Sequence, residues 1–272
     1  MKNIILLLLL TFALSSSAQF RFDYIITNIE PAEYIVTYSL KYQLDSLSDF
    51  HSQSDMYLFL GENTSKFLSS EMYSSDTVMR QISNVAEFQE FAADRHRPFP
   101  RVLYRILKNY PKGKIIHIEH VIPSTFKCKE ELNQFNWQLT GDTTTIEGYK
   151  VQKATCDFGG RSWVAWFTSE ISYSDGPYKF NGLPGLILNI HDTRNHYVFE
   201  FIAIEKPNYN LMIDIEEFDF VEATKQSLFR AKDDFRNDIV SRAKEAGLAN
   251  EIQQRLLKTM SRRNNPLELK RD

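Results

Sequence analysis

Tyr34-Ile-Val-Thr-Tyr-Ser-Leu-Lys-Tyr-Gln-Leu44 decides the fold of this chain. Tyr34, Val36, Tyr38, Leu40, Tyr42 and Leu44 alternate with Ile35, Thr37, Ser39, Lys41 and Gln43. A period of two over eleven residues predicts a strand with one face buried. The pattern recurs outward from it. Phe20, Phe22, Tyr24 and Ile26 predict a strand before it. Met56–Leu60 and Ile115–Ile122 predict two more after it. From Trp137 onward, 143–146, 149–156, 161–168, 186–190 and 197–204 are short runs rich in β-branched and aromatic residues. Turn residues separate them: Glu147-Gly148, Gly159-Gly160, Asp175-Gly176 and Asn195. This predicts an antiparallel meander rather than alternating βαβ units.

Composition agrees. The chain has 272 residues, with 20 Phe, 13 Tyr and 3 Trp, and an aromatic share of 13% suits pleated, half-buried surfaces. Lys+Arg of 32 against Asp+Glu of 35 gives no basic footprint for nucleic acid, which is not expected as a partner. An apolar share of 43% excludes a disordered chain.

Helical periods enter twice. Asn84 with Glu87 resembles a capping box, and Val85, Phe88 and Phe91-Ala92 share a face, predicting one short helix over 84–96. Leu228, Phe235 and Ile239 share a face across Thr224–Ala246, with Gly247 placed for a C′ stop. Asn250 is placed to cap a last helix carrying Ile252, Leu256, Leu257 and Met260. The expected class is α+β: a large, curved, half-barrel-like antiparallel sheet, one short internal helix and two C-terminal helices.

Residues 1–18 read as a secretory signal peptide. Lys2 is the positive start, Ile4–Leu10 the apolar run, and Ser16-Ser17-Ala18 the small residues before cleavage. The expected mature chain, 19–272, is a single domain. It begins at Gln19 rather than Cys, so no lipid anchor is expected, and the expected address is periplasmic or extracellular. In that oxidising setting Cys128 and Cys156 are a candidate disulfide worth roughly 3.5 kcal/mol, with two buried free thiols as the alternative.

Asp175-Gly-Pro-Tyr-Lys-Phe-Asn-Gly-Leu-Pro-Gly-Leu-Ile-Leu188 contains the hexapeptide Gly182–Ile187. With Gly148–Ala154, Gly160–Trp166 and the closing Asn264–Leu269, it resembles the GLPGLI family of secreted Bacteroidota proteins, whose function is unknown. Gly176, Pro177, Gly182, Leu183, Pro184, Gly185, Leu186 and Ile187 are the motif residues. Family members often carry a Cys after the Gly-Tyr pair, where this chain has Val151. Their genes often neighbour those of outer-membrane transporters, which implies an envelope role. The resemblance brings no catalytic residue and no cofactor.

Leu183-Pro184-Gly185-Leu186 suits a type II turn. Its apolar side chains favour a folding element over a chemical site. His117-Ile-Glu-His120 lies in a strand-like run, which puts His117 and Glu119 on one face and His120 on the other, so no metal site is expected. Ser124 and Lys127 have S-x-x-K spacing without the partner motifs. The acidic run Asp214, Glu216, Glu217 and Asp219 is expected to be solvated. Alternation separates Trp163 and Phe167 from Trp166. Trp166, Tyr178, Phe180 and Leu183 are the candidates for an apolar ligand groove. The expected function is a non-enzymatic carrier or binding protein for a lipid or other apolar ligand, or for an envelope partner. The alternatives are a hydrolase using His117 with Glu119 or His191 with Asp192, and an accessory protein of an outer-membrane transporter.

Overall fold

A computed structural model describes residues 25–94, 96, 99–217 and 219–270. The expected leader at 1–18 and nearly all of the strand expected over 20–26 lie outside these residues. The described chain opens with β1 (Ile25–Pro31), β2 (Tyr34–Tyr42), β3 (Ser52–Leu60) and β4 (Ser65–Ser69). Two helices follow, α1 (Ser70–Met79) and α2 (Val85–Ala93). Then come β5 (Tyr104–Lys108), β6 (Lys114–Val121), β7 (Ser124–Glu131), β8 (Gln138–Ile146), β9 (Tyr149–Phe158) and β10 (Arg161–Thr168). After a long loop come β11 (Leu186–Asp192), β12 (Tyr197–Glu205), β13 (Met212–Glu217) and β14 (Phe220–Ala223). The chain closes with α3 (Lys225–Glu245) and α4 (Asn250–Ser261).

The main sheet runs β14-β7-β6-β5-β4-β3-β2-β12-β11-β10-β9-β8. It is two antiparallel meanders, β2 to β7 and β8 to β12, fused where β2 pairs with β12. The α+β class and the antiparallel character stand as expected. β14 alongside β7 is a parallel pairing. β1 and β13 form a separate two-stranded sheet.

Contacts of the loop between β10 and β11 reveal that the sheet curls. Phe180 packs on Trp163 of β10, with ring centroids 4.7 Å apart, while its neighbour Lys179 reaches Glu130 of β7 at 2.6 Å. β7 and β10 stand eight places apart in the strand order. On a flat sheet that separation is about 38 Å, so the strands must wrap around the loop. The inward row is the one the alternation predicts: Val36, Tyr38, Leu40 and Tyr42 are buried in the main core.

The helices depart from expectation in three ways. Among the described residues there are two internal helices, not one. α1 has no apolar stripe for a sequence to reveal, and it starts because Ser69 caps it, accepting from Met72 N at 3.2 Å. α2 keeps its expected cap, Asn84 accepting from Glu87 N at 3.0 Å, but Glu87 returns to Ser83 N at 2.7 Å instead of closing a box with Asn84. None of its residues is fully buried. α3 is as expected. Thr224 and Ser227 form its capping box, and Gly247 (φ 68°) ends it, with Gly247 N donating to Lys244 O and Leu248 N to Ala243 O. Asn250 is the first residue of α4 rather than its cap, and Ala249 holds the cap position without a side-chain bond.

Candidate functional site

Charged side chains enter the concave interior with the β10–β11 loop. This loop fills the space that the sheet encloses. Tyr178, Phe180 and Leu183 are at most 3% exposed. The positioning is local: Asp175 pairs with Asn181 across the loop base, and Phe180 N donates to Pro177 O at 3.1 Å. Gly185 has φ 142°, and a Cβ there would stand 1.9 Å from Thr168 O, so only glycine fits. Gly176 lies against Ile187, where a Cβ would meet side-chain carbon at 2.8 Å. The expected type II turn is not what forms. Gly185 N donates to Leu183 O at 2.8 Å, and Leu186 N turns away to Ile171 O at 3.2 Å, because the end of the loop is tied to its own beginning just after β10.

Two lysines bring charge into this apolar plug. Lys108 Nζ donates to Asp175 and to Gly176 O, the latter at 2.5 Å. Lys179 Nζ is fully buried between Glu130 and Glu268, 2.6 Å from each. Glu268 also accepts from Tyr178 Oη at 2.5 Å and pairs with Lys225 at 2.6 Å. Burial pushes the Glu268 carboxyl up, but the Lys179 and Lys225 ammonium groups outweigh it and hold the carboxyl at about 2. Glu268 belongs to the chain end, and so does Asn265. Arg161 donates to Asn265 Oδ1 at 2.6 Å, to Pro266 O at 2.7 Å and to Asp192 Oδ2 at 2.9 Å. The hexapeptide stretch and the closing stretch, far apart in sequence, therefore form one clasp.

The two acid–histidine pairs fare differently. His117 and Glu119 both face inward, with Nε2 and Oε2 3.3 Å apart, and His120 lies on the other face, as alternation requires. Burial and the Lys179 ammonium push His117 down. Burial pushes Glu119 up, but Lys232 and His117 more than reverse this, holding it at about 2. The pair is enclosed by the Tyr104 and Tyr178 rings, 5.9 and 6.2 Å from the imidazole. His191 and Asp192 do not join through their side chains. His191 Nδ1 contacts the Asp192 backbone oxygen, and the carboxylate serves Arg161 and Tyr197 N.

Three site expectations need correction. Trp166, Tyr178, Phe180 and Leu183 do not share a groove: the last three fill the interior, and Trp166 is half-buried on the opposite face of β10 from Trp163. Cys128 and Cys156 are free. They sit in separate apolar clusters on β7 and β9, and burial pushes both thiols up to about 12. Asp214 and Glu216 are not solvated; they are 4% and 1% exposed.

Asp214 lies in the floor of an open groove of about 260 Å³ on the convex side, between α1 and the β1–β13 pair, and Glu216 is buried behind it through shared partners Lys66 and Arg80. Lys66 Nζ lies 2.6 Å from Asp214 and 3.2 Å from Glu216. Arg80, at the end of α1, donates to Asp214 at 2.7 Å and to Glu216 at 3.0 Å. Arg105 binds Asp76 through two nitrogens, at 2.5 and 3.1 Å. Tyr73, Thr77 and Arg80 recur at helical spacing, so α1 turns one face to the groove. Tyr73 Oη meets Tyr209 Oη at 2.8 Å across the opening. Asn28, opposite Asp214 in the β1–β13 register, and Asn210 complete the rim.

Residues 160–189 match a family described as "Protein of unknown function (Porph_ging)". The matched span is β10, the plug loop and the start of β11. No curated protein matches the chain. Two solved structures titled "Structure of PNGF-II", in the C2 and P21 space groups, resemble it at 14% identity and TM-score 0.47. The likeness covers 74% of this chain but only 32% and 33% of those, so this chain spans about a third of their length.

The groove escaped sequence reading because its charges come from β4, α1, β5 and β13. The one available signal was the alternation of Ile213 and Ile215 with Asp214 and Glu216, which marks a strand with an acidic face.

Proposed function

We propose that the chain is an exported envelope protein of the GLPGLI type that binds its ligand without transforming it, at the convex groove between α1 and β13. The observation that carries this reading is the division of ionisable groups. Lys179, Glu268, Arg161 and Asp192 are committed to clasping the plug loop and the chain end inside the sheet. The groove, in contrast, sets amide and aromatic groups, above charges already paired with one another, around a concavity open to solvent. An apolar guest within the sheet is disfavoured, since Tyr178, Phe180 and Leu183 occupy that space. The features of residues 1–18 support export to the periplasm or beyond.

Native mass spectrometry of protein purified from its own envelope, without denaturant, tests the reading. The expected result is a bound molecule kept by Thr145→Ala, on the outer strand β8, and lost by Tyr209→Ala. A molecule retained by Tyr209→Ala, or consumed by the purified protein, overturns it.

A further inference from the structure

We infer that the convex groove takes a neutral, hydroxyl-rich ligand with the chemistry of a sugar ring, an inference that rests on the groove being the binding site. Three cations, Lys66, Arg80 and Arg105, stand against three anions, Asp76, Asp214 and Glu216, and the ion pairs among them compensate every charge. A charged ligand would have to break one of these pairs, several of them nearly dry, at a cost its own charge does not recover. What the groove still offers is neutral hydrogen bonding. The Asn28 and Asn210 amides stand exposed around it, and the exposed Thr77 hydroxyl, which donates to Tyr73 O at 2.8 Å, keeps its accepting side free.

The aromatic groups fit the same class. Tyr209 is 53% exposed at the rim, and Tyr73 and Phe59 pack edge to face at 5.2 Å beside it. An apolar wall beside planar amides suits a pyranose, whose C–H face is apolar and whose edge is a ring of hydroxyls. The Tyr73–Tyr209 hydroxyl bridge is a neutral contact that a ligand hydroxyl can replace in kind. The groove's 260 Å³ holds one ring-sized group.

The test is an NMR titration of the folded, isotope-labelled chain with glucose, galactose, mannose and N-acetylglucosamine, and separately with inorganic phosphate and laurate. The expected result is saturable shifts at Tyr73, Thr77 and Asn210 with at least one sugar. The expected Kd is on the order of 1 mM, as a lone ring's ligand efficiency implies. Tyr209→Ala and Asn28→Ala, both at exposed positions, should weaken binding at least about tenfold, one lost stacking or amide contact each. Tyr209→Phe should retain it. Shifts at the same residues with phosphate or laurate and none with sugars overturn the ligand class while leaving the groove as the binding site. Sugar shifts outside the groove, or none with any probe, overturn the inference. The envelope-purified protein then decides separately whether the groove binds another molecule.

Discussion

Two clusters of buried charge lie on opposite faces of the same sheet, and they do different work. Inside, Lys179 is fully buried between Glu130 and Glu268, and the clasp joins parts of the chain that would otherwise be loose: a loop and the chain end. Outside, Lys66 is also nearly dry, but its partners Asp214 and Glu216 are shared with Arg80, whose side chain is 28% exposed. The inner cluster closes a volume; the outer one forms the floor of an open site. Burying a charge does not by itself mark function or stability. What matters is whether the pairing is redundant and whether solvent reaches it.

The comparison can be broken most directly at Lys179. Lys179→Met leaves Glu130 and Glu268 without the ammonium between them and should cost about 3–5 kcal/mol in urea unfolding. Adding Glu268→Gln should recover part of that loss; strict additivity would mean that the two groups do not work as a unit. Gly185→Ala should cost about 3 kcal/mol or more, since the new methyl meets Thr168 O and the backbone cannot relax around a tied loop.

Acid tests the inner cluster next, with Glu268→Gln isolating its part from that of Glu216 outside, whose carboxyl is also held at about 2. The Glu268 carboxyl is held at about 2, below its ordinary range near ~4.3. A depressed carboxyl contributes its stability above the ordinary value and loses it as pH falls toward 2. Roughly 3 kcal/mol should therefore disappear over that interval. Unfolding midpoints measured between about pH 6 and pH 3 should fall for the native chain and fall less for Glu268→Gln. Equal slopes would remove Glu268 from the account.

Smaller effects belong outside. Arg80→Ala should cost only about 1–2 kcal/mol, because Lys66 still contacts both Asp214 and Glu216 and the Arg80 side chain is 28% exposed, so water takes its place. A loss matching that of Lys179→Met would erase the distinction between the faces. Tyr209→Phe removes one exposed hydroxyl bridge and should shift stability by less than about 1 kcal/mol.

Much of the sheet was legible in the sequence. β2, β9, β10, β11 and β12 fall where alternation and turn residues place them, and α3 ends at Gly247 as its pattern requires. β4 was not legible, because all five of its residues are buried and two-faced burial erases alternation. α1 was hidden by a polar sequence that lacks an apolar stripe. Of the candidate site residues, the inward row of His117 and Glu119 was legible. The groove was not.

The amino-acid order alone determined the strand period, the sheet's antiparallel class and the two closing helices, since each depends on neighbours within a few residues. Tertiary structure decided which charges would be buried and against what. Lys66 finds Asp214 148 positions away, and Lys179 finds Glu268 89 positions away. A lysine or glutamate in a sequence carries the same side chain whether water or a counter-ion surrounds it. The choice is made only when the sheet curls and brings distant partners within about 3 Å.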